Sequence, residues 1–88
     1  MNSADKKKLR AEAHTLKPVV MIGQSGLTAA VLVEIELALD SHELIKVKIR
    51  AERDDRKLIS EKICTDTGAE LIQTIGQIAV LYRLNPNK

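Results

Sequence analysis

Aromatic side chains are almost absent from this sequence of 88 residues, which contains one tyrosine, Tyr82, and no phenylalanine or tryptophan. The hydrophobic core must therefore be built from aliphatic side chains. Modules that grip single-stranded nucleic acid by stacking its bases on aromatic rings are disfavoured for the same reason. If the protein binds RNA, we expect it to contact mainly the sugar-phosphate backbone.

Cysteine is equally scarce, and the single residue, Cys64, cannot form a disulfide within the chain. No second cysteine or histidine stands at the spacing typical of a zinc site. These absences disfavour metal and redox roles, and we expect no cofactor. Cys64 falls on the inward side of a predicted helix, where cysteine usually acts as a small hydrophobic residue rather than as a nucleophile.

Long apolar segments are also missing. No stretch approaches the roughly 20 apolar residues that a membrane span requires, and the opening MNSADKKKLR lacks the apolar core of a signal peptide. We therefore expect a cytoplasmic protein without a membrane partner. A chain of 88 residues is near the size at which folding hides about 60% of the extended-chain surface. We expect one domain over residues 1–88, with no deep cavity for a small-molecule substrate.

Neither sign of charge dominates, because the sequence has 14 lysines and arginines and 12 aspartates and glutamates. The distribution is nevertheless uneven. Residues 5–17 and 46–57 are rich in lysine and arginine, whereas residues 34–43 contain acids and neither basic type. The acids of that segment are Glu34, Glu36, Asp40 and Glu43. Most such runs are solvated surface, so the fold must decide which of them mark a binding site.

Three segments have the periodicity of helices. Ser3 is predicted to cap a helix over 4–14, and Thr28 to cap a second helix that ends near Ser41. A third helix is predicted over 53–67, with Gly68 as its C-terminal stop. Its inward residues are predicted to be Leu58, Ile59, Ile63 and Cys64.

Four segments have the patterns of strands. VVMI at 19–22 is apolar throughout, which predicts a strand covered on both faces. LIKVKIR at 44–50 alternates, so Lys46, Lys48 and Arg50 should share one wet, basic face. The segments AELIQTI and IAVLYRL should form a hairpin across Gly76 and Gln77, a pair that suits a type II′ turn. Residues 85–88 are predicted to be a frayed tail.

The predicted order of elements is α-β-α-β-α-β-β, an α/β (α+β two-layer) fold with a four-stranded mixed sheet. Helical crossovers make the first three strands parallel, and the short hairpin makes the fourth antiparallel. The carboxyl ends of parallel strands and the starts of the following helices meet along one edge. That edge should collect the segment GQSG at 23–26, Arg50, and the basic start of the third helix.

The segment GQSG has two interpretations. A helix start presents unpaired N–H groups and a partial positive charge, and flanking glycines let a phosphate approach closely. The same glycines are also typical of a tight strand-to-helix turn that needs a positive φ at Gly23 or Gly26. The basic residues expected on the same edge favour the phosphate interpretation. The spacings of a Walker loop and of a dinucleotide fingerprint are absent.

Three separated segments, LRAEAHTLKPVVMIGQSGLT, HELIKVKI and IGQIAVLYR, occur in order along the chain. Together they resemble the CRM domain (chloroplast RNA splicing and ribosome maturation) of the small bacterial YhbY type, over residues 9–83. The resemblance implies a KH-like RNA-binding fold with its GxxG loop at Gly23 to Gly26, and association with precursors of the large ribosomal subunit. Many members carry a basic residue inside this loop, whereas Gln24 and Ser25 are neutral. Flanking lysines and arginines must therefore meet the phosphate charge.

These observations predict a non-enzymatic RNA-binding protein that holds ribosomal RNA, or a large-subunit precursor particle, during assembly. The candidate RNA-binding residues are Gly23, Gln24, Ser25, Gly26, Thr28, Lys48, Arg50, Arg53, Arg56 and Lys57. No catalytic residue, metal site or small-molecule substrate is predicted. The alternative is a protein-interaction module whose acidic second helix docks a basic partner.

Two further groups of residues keep more than one interpretation. His14 and His42 fall at predicted helix ends, where histidine commonly satisfies terminal carbonyl groups rather than acting in catalysis. The cations of the first helix form either a solvated face or a second RNA contact. These are Lys6, Lys7, Lys8 and Arg10.

Overall fold

The computed structural model describes residues 2–85 and has the predicted order of three helices and four strands. The elements are α1 (Ser3–Ala13), β1 (Pro18–Ile22), α2 (Ala29–His42), β2 (Leu44–Ile49), α3 (Arg53–Thr67), β3 (Glu70–Ile75) and β4 (Ile78–Tyr82). Of the tail predicted at 85–88, residues 86–88 lie outside the described residues. Between residues 2 and 85, no helix has the length and apolar character needed to cross a membrane.

The helix ends follow their local sequence with one correction. Asn2, not Ser3, is the N-cap of α1, because its extended backbone lets Oδ1 accept the N–H of Asp5 at 2.8 Å. Asparagine caps as well as serine does, and the cap one residue earlier starts the helix at Ser3. Thr28 caps α2 as predicted, accepting from Val31 N at 3.2 Å. Gly68, at φ +74°, ends α3 as predicted.

The sheet has the order β1-β2-β4-β3. β1 and β2 are parallel, and β4 runs antiparallel to both β2 and β3. The predicted strand directions are therefore confirmed. The prediction did not specify that β4 lies between β2 and β3. At the hairpin, Gly76 has φ +54° and Gln77 has no positive φ. This combination fits the predicted type II′ turn, because type I′ needs a positive φ at both positions.

One face of the sheet packs against α2 and α3 and is called the two-helix face. Ile45, Val47 and Ile49 of β2 are buried there, as their alternation predicted. They share one aliphatic core with residues of the two helices, chiefly Ile35, Leu39 and Ile63. The inward assignment of Leu58 is wrong, because its side chain is 63% exposed. Five residues of helix place it about 140° around the axis from Ile63.

The opposite face packs against α1 alone and is called the one-helix face. Ala13 of α1 contacts Ile72 and Val80, with Leu9 beside them and Tyr82 at the margin. Because α1 crosses β2 and β3 rather than β1, this face of β1 stays open. The prediction that both faces of β1 are covered is therefore wrong, since Val19 and Met21 are 52% and 57% exposed.

Candidate functional site

The residues Gly23, Gln24, Ser25 and Gly26, called here the GQSG loop, join the end of β1 to the start of α2. Gly26 N donates to Gly23 O at 3.0 Å, so the loop is a β-turn that presents Gln24 and Ser25 to solvent. Thr28 follows, half-buried, with its hydroxyl capping the helix. The turn therefore stands directly before the positive end of the α2 dipole.

The two glycines of the loop have different structural requirements. Gly26, the last residue of the turn, has φ +71°, which residues other than glycine adopt at a cost. Gly23 has no positive φ, and a Cβ added to it would meet no atom within 4 Å. The fold therefore accounts for glycine at position 26 and does not account for it at position 23.

The loop also has free hydrogen-bond donors. Within residues 2–85, the backbone N–H groups of Gln24 and Ser25 have no acceptor. Because the two residues are exposed, these N–H groups are available to an external acceptor. Consecutive unpaired N–H groups in a turn form a concave site that suits an anion.

Two backbone hydrogen bonds connect the end of β2 to its neighbours on either side, the end of β1 and the β3–β4 turn. Arg50 N donates to Ile22 O at 2.9 Å, next to the loop, and Ile49 N donates to Gln77 O at 2.7 Å. The GQSG loop, Arg50, the Gly76–Gln77 turn and the start of α3 therefore share one side of the molecule, called here the loop edge.

The structure brings together some of the predicted basic residues and separates others. Arg50, Arg53 and Lys57 are exposed at the loop edge. Arg56 is half-buried, and its Nη1 donates to Ala51 O at 2.6 Å, so part of its guanidinium holds the β2–α3 connection in place. Lys48 projects from the one-helix face, between Met21 and Ile78 in register, and so points away from the side of the sheet that carries α3.

Sequence reasoning placed Gln77 in the hairpin turn but assigned neither Gln77 nor Thr74 to the candidate site. They line a cleft between the start of α3 and the β3–β4 turn. The tripeptide Ile-Gly-Gln occurs at 22–24 and again at 75–77. Both copies lie at the loop edge.

The acids of α2 are largely engaged within the chain. Arg83 Nη1 lies 2.8 Å from Glu36 Oε2, and Arg83 Nη2 lies 2.8 Å from Asp40 Oδ1. The hydrogen bond to Glu36 is the main cause that raises the pKa of Arg83 above its ordinary value, and burial opposes it. Asn85 N donates to Glu43 Oε2 at 2.7 Å, so the predicted fraying does not begin at Asn85. Arg83 offsets only one of the four negative charges of residues 34–43, so this segment keeps a net negative charge.

Cys64 is half-buried beside the aliphatic core of the two-helix face. Burial raises the pKa of its thiol, and the nearby carboxylate of Glu70 adds to the shift. The thiolate required for nucleophilic chemistry is therefore disfavoured.

Known proteins resemble this chain in sequence and in fold. Residues 1–83 match the CRS1 / YhbY (CRM) domain. The chain is 45% identical over 87 residues to a "Probable RNA-binding protein" of Pseudomonas aeruginosa, covering 98% of this chain and 84% of that protein. It is 51% identical over 84 residues to an "RNA-binding protein" of Haemophilus influenzae, covering 94% of this chain and 85% of that protein.

The fold is also similar to the solution structure of a hypothetical Staphylococcus aureus protein whose description suggests RNA binding. The TM-score is 0.85 at 34% identity, over 96% of this chain and 88% of that one. The extent of the family match and the identity to these relatives show that the chain belongs to the CRS1 / YhbY (CRM) domain family.

Proposed function

We propose that this protein binds RNA without catalysing a reaction, and that it holds the phosphate backbone at the loop edge. The observation that carries the proposal is Gly23, a glycine that neither backbone conformation nor crowding within the fold requires. A residue without a Cβ at that position lets an external phosphate approach the unpaired N–H groups of Gln24 and Ser25.

The charges at the edge support a backbone contact. Arg50, Arg53 and Lys57 are exposed and available to phosphates, whereas the GQSG loop itself carries no charged side chain. The loop thus supplies close approach and N–H donors, and its neighbours supply positive charge. The naming of relatives as RNA-binding proteins supports RNA as the ligand.

The proposed partner is ribosomal RNA in a precursor of the large subunit, as the resemblance to the YhbY type implies. Tyr82, the one aromatic residue of the sequence, packs beside α1 on the one-helix face, away from the loop edge. A backbone-contacting edge without stacking rings selects RNA by shape more than by sequence, which suits a folded ribosomal precursor. The proposed site of action is the cytoplasm.

Substitution within the GQSG loop tests the contact surface. The double variant Gln24→Asp and Ser25→Asp keeps both glycines, so its stability should change by about 0.5 kcal/mol or less. Its affinity for structured RNA should fall at least about tenfold, because the carboxylates repel phosphate. The matched control, Gln24→Asn and Ser25→Asn, has similar side-chain size without the charge and should bind like the wild type. Equal binding by the Asp and Asn variants in a gel shift would reject the proposed contact.

Sedimentation of cell extract tests the partner. The protein should migrate with particles lighter than the mature large subunit and be scarce on translating ribosomes. The Asp double variant should leave those particles, whereas the Asn control should remain. Migration of the wild type free of ribosomal material would rule out the assembly role.

A further inference from the structure

A cleft at the loop edge is lined by two of the cations proposed to contact phosphates, Arg53 and Lys57, but those contacts do not fill it. It has a volume of about 710 Å³ and lies between the start of α3 and the β3–β4 turn. Ile49, Leu71 and Ala79 give it an apolar floor, and Thr74 and Gln77 line the hairpin side. Its volume is in the range of small-molecule sites, and most of its remaining lining residues are polar or charged, so an occupant must offer hydrogen-bonding groups as well as an apolar surface.

The charges around the cleft distinguish a base from a phosphate as its occupant. Arg53 and Lys57 bring positive charge to the lining, but the carboxylates of Asp54 and Glu61 also line it. A carboxylate repels phosphate, whereas it accepts a hydrogen bond from the exocyclic amino group of a base. The cleft therefore suits a base inside and the attached phosphate near the cations.

Arg56 supplies a planar surface for such a base. It lines the cleft, and the hydrogen bond from its Nη1 to Ala51 O at 2.6 Å holds the guanidinium in place. Guanidinium planes stack on unpaired bases much as aromatic rings do. The half-buried position of Arg56 thus fits a stacking role better than the phosphate contact predicted from the sequence.

The cleft is continuous with the proposed backbone path. Ile49 N donates to Gln77 O, and the next residue, Arg50, donates to Ile22 O beside the GQSG loop. The distance from β1 across β2 to β4 is two strand spacings, about 10 Å. An RNA strand that leaves the GQSG loop and passes Arg50 therefore reaches the cleft within a short length of its backbone.

We propose that this cleft receives one unpaired nucleotide, base inward, from the RNA whose backbone crosses the loop edge. The inference rests on the proposed function and adds a preference for RNA that contains a bulge over a continuous duplex. An unpaired base enters at the lowest cost because it has no pairing to break.

Two RNAs and two matched protein variants test this. The RNAs are a continuous duplex and the same duplex with one bulged 2-aminopurine, a fluorescent base with an exocyclic amine. Thr74→Met with Gln77→Met adds a longer apolar side chain at position 74 and replaces the amide of Gln77 by a thioether of similar length, without adding an aromatic ring. Thr74→Ser with Gln77→Asn keeps both polar groups and leaves the cleft open.

The wild type should bind the bulged RNA about tenfold more tightly than the duplex, a difference of about 1.4 kcal/mol, and should change the 2-aminopurine emission. The Met pair should lose both effects while keeping its affinity for the duplex, and the Ser/Asn pair should keep both. If the Met pair does not fold, as judged by circular dichroism, Thr74→Met alone replaces it.

The outcomes separate the two proposals. Equal wild-type affinity for both RNAs, unchanged emission, or a preference that survives in the folded Met variant would overturn the cleft inference and leave the proposed function standing. Failure of the wild type to bind either RNA would overturn both. The Asp double variant of the GQSG loop should weaken binding to both RNAs equally and preserve their ratio.

Discussion

At the residue scale, the two glycines of the GQSG loop separate folding from binding. Gly26 adopts a positive φ as the chain leaves the turn, whereas Gly23 has no positive φ, and a Cβ would meet no atom within 4 Å at either position. Sequence alone assigned the same pair of alternatives to both residues. The structure assigns the turn requirement to Gly26 and leaves Gly23 free for contact with a ligand.

Alanine substitution of the two glycines should affect different properties, stability at Gly26 and RNA affinity at Gly23. Gly26→Ala should lose about 1 kcal/mol of unfolding free energy, because alanine is strained at positive φ. Gly23→Ala should change stability by less than about 0.5 kcal/mol and weaken RNA binding about fivefold, a cost of about 1 kcal/mol. Urea unfolding and a gel shift measure the two quantities. Full RNA affinity in Gly23→Ala would contradict close phosphate approach at this residue.

The thiol of Cys64 should be unreactive in the folded protein. Since burial raises its pKa, the thiolate fraction near neutral pH should be smaller than in the unfolded chain. Alkylation by iodoacetamide at pH 8 should therefore be slower in the folded protein than in urea. Cys64→Ala should cost about 1 kcal/mol through lost packing and leave RNA binding intact. Alkylation as fast as that of the unfolded protein would show a reactive thiol.

At the scale of elements, Arg83 ties the segment after β4 to two helices. It bonds Glu36 and Asp40 of α2 and also donates to Thr67 O at the end of α3, at 2.8 Å. Its side chain is 21% exposed, against 64% for Lys62 in the ion pair with Asp66. Arg83 ends the segment IGQIAVLYR, but the sequence pattern does not reveal its partners, because they lie 16 or more residues away along the chain.

Methionine substitution compares these two cations. Arg83→Met should destabilise the protein by about 2 kcal/mol, because several charge-assisted hydrogen bonds are lost from a partly buried site. Lys62→Met should cost less than about 0.5 kcal/mol, since it breaks only an exposed i,i+4 pair. Chemical denaturation measures both. Equal losses would show that the Arg83 contacts contribute little more than a surface pair.

At the scale of the whole molecule, two groups of cations lie on different sides of the sheet. Arg50, Arg53 and Lys57 stand at the loop edge, whereas α1, with the basic cluster predicted either as solvated surface or as a second RNA contact, packs on the one-helix face. The salt dependence of RNA binding distinguishes these alternatives, because each phosphate contact releases counterions.

The slope of log affinity against log salt should be about −2 for single-stranded RNA if only the three loop-edge cations contact phosphates, at about 0.7 per contact. Participation of the α1 cations as well would steepen it to about −5. Filter binding across a salt series measures the slope. Replacing Lys7 and Lys8 with glutamine should leave it unchanged, and a flat response in the wild type would contradict backbone binding.

The sequence by itself determined the elements, because their signals are local. Periodicity, the cap at Thr28 and the stop at Gly68 involve residues a few positions apart, and α3 begins and ends where they predict. Alternation in β2 likewise predicted which of its residues are buried. The same local logic failed at β1, whose apolar run did not reveal that α1 packs elsewhere.

Only the tertiary structure decided which residues share a surface. The insertion of β4 between β2 and β3 places Gln77 beside Ile49 and forms a cleft against α3. It was also the three-dimensional arrangement that placed α3 on the face opposite Lys48 and brought Arg83 into contact with Glu36 and Asp40 of α2. Packing between distant segments sets these positions, and no local pattern encodes it, since contacts across a sheet depend on strand order as well as on strand sequence.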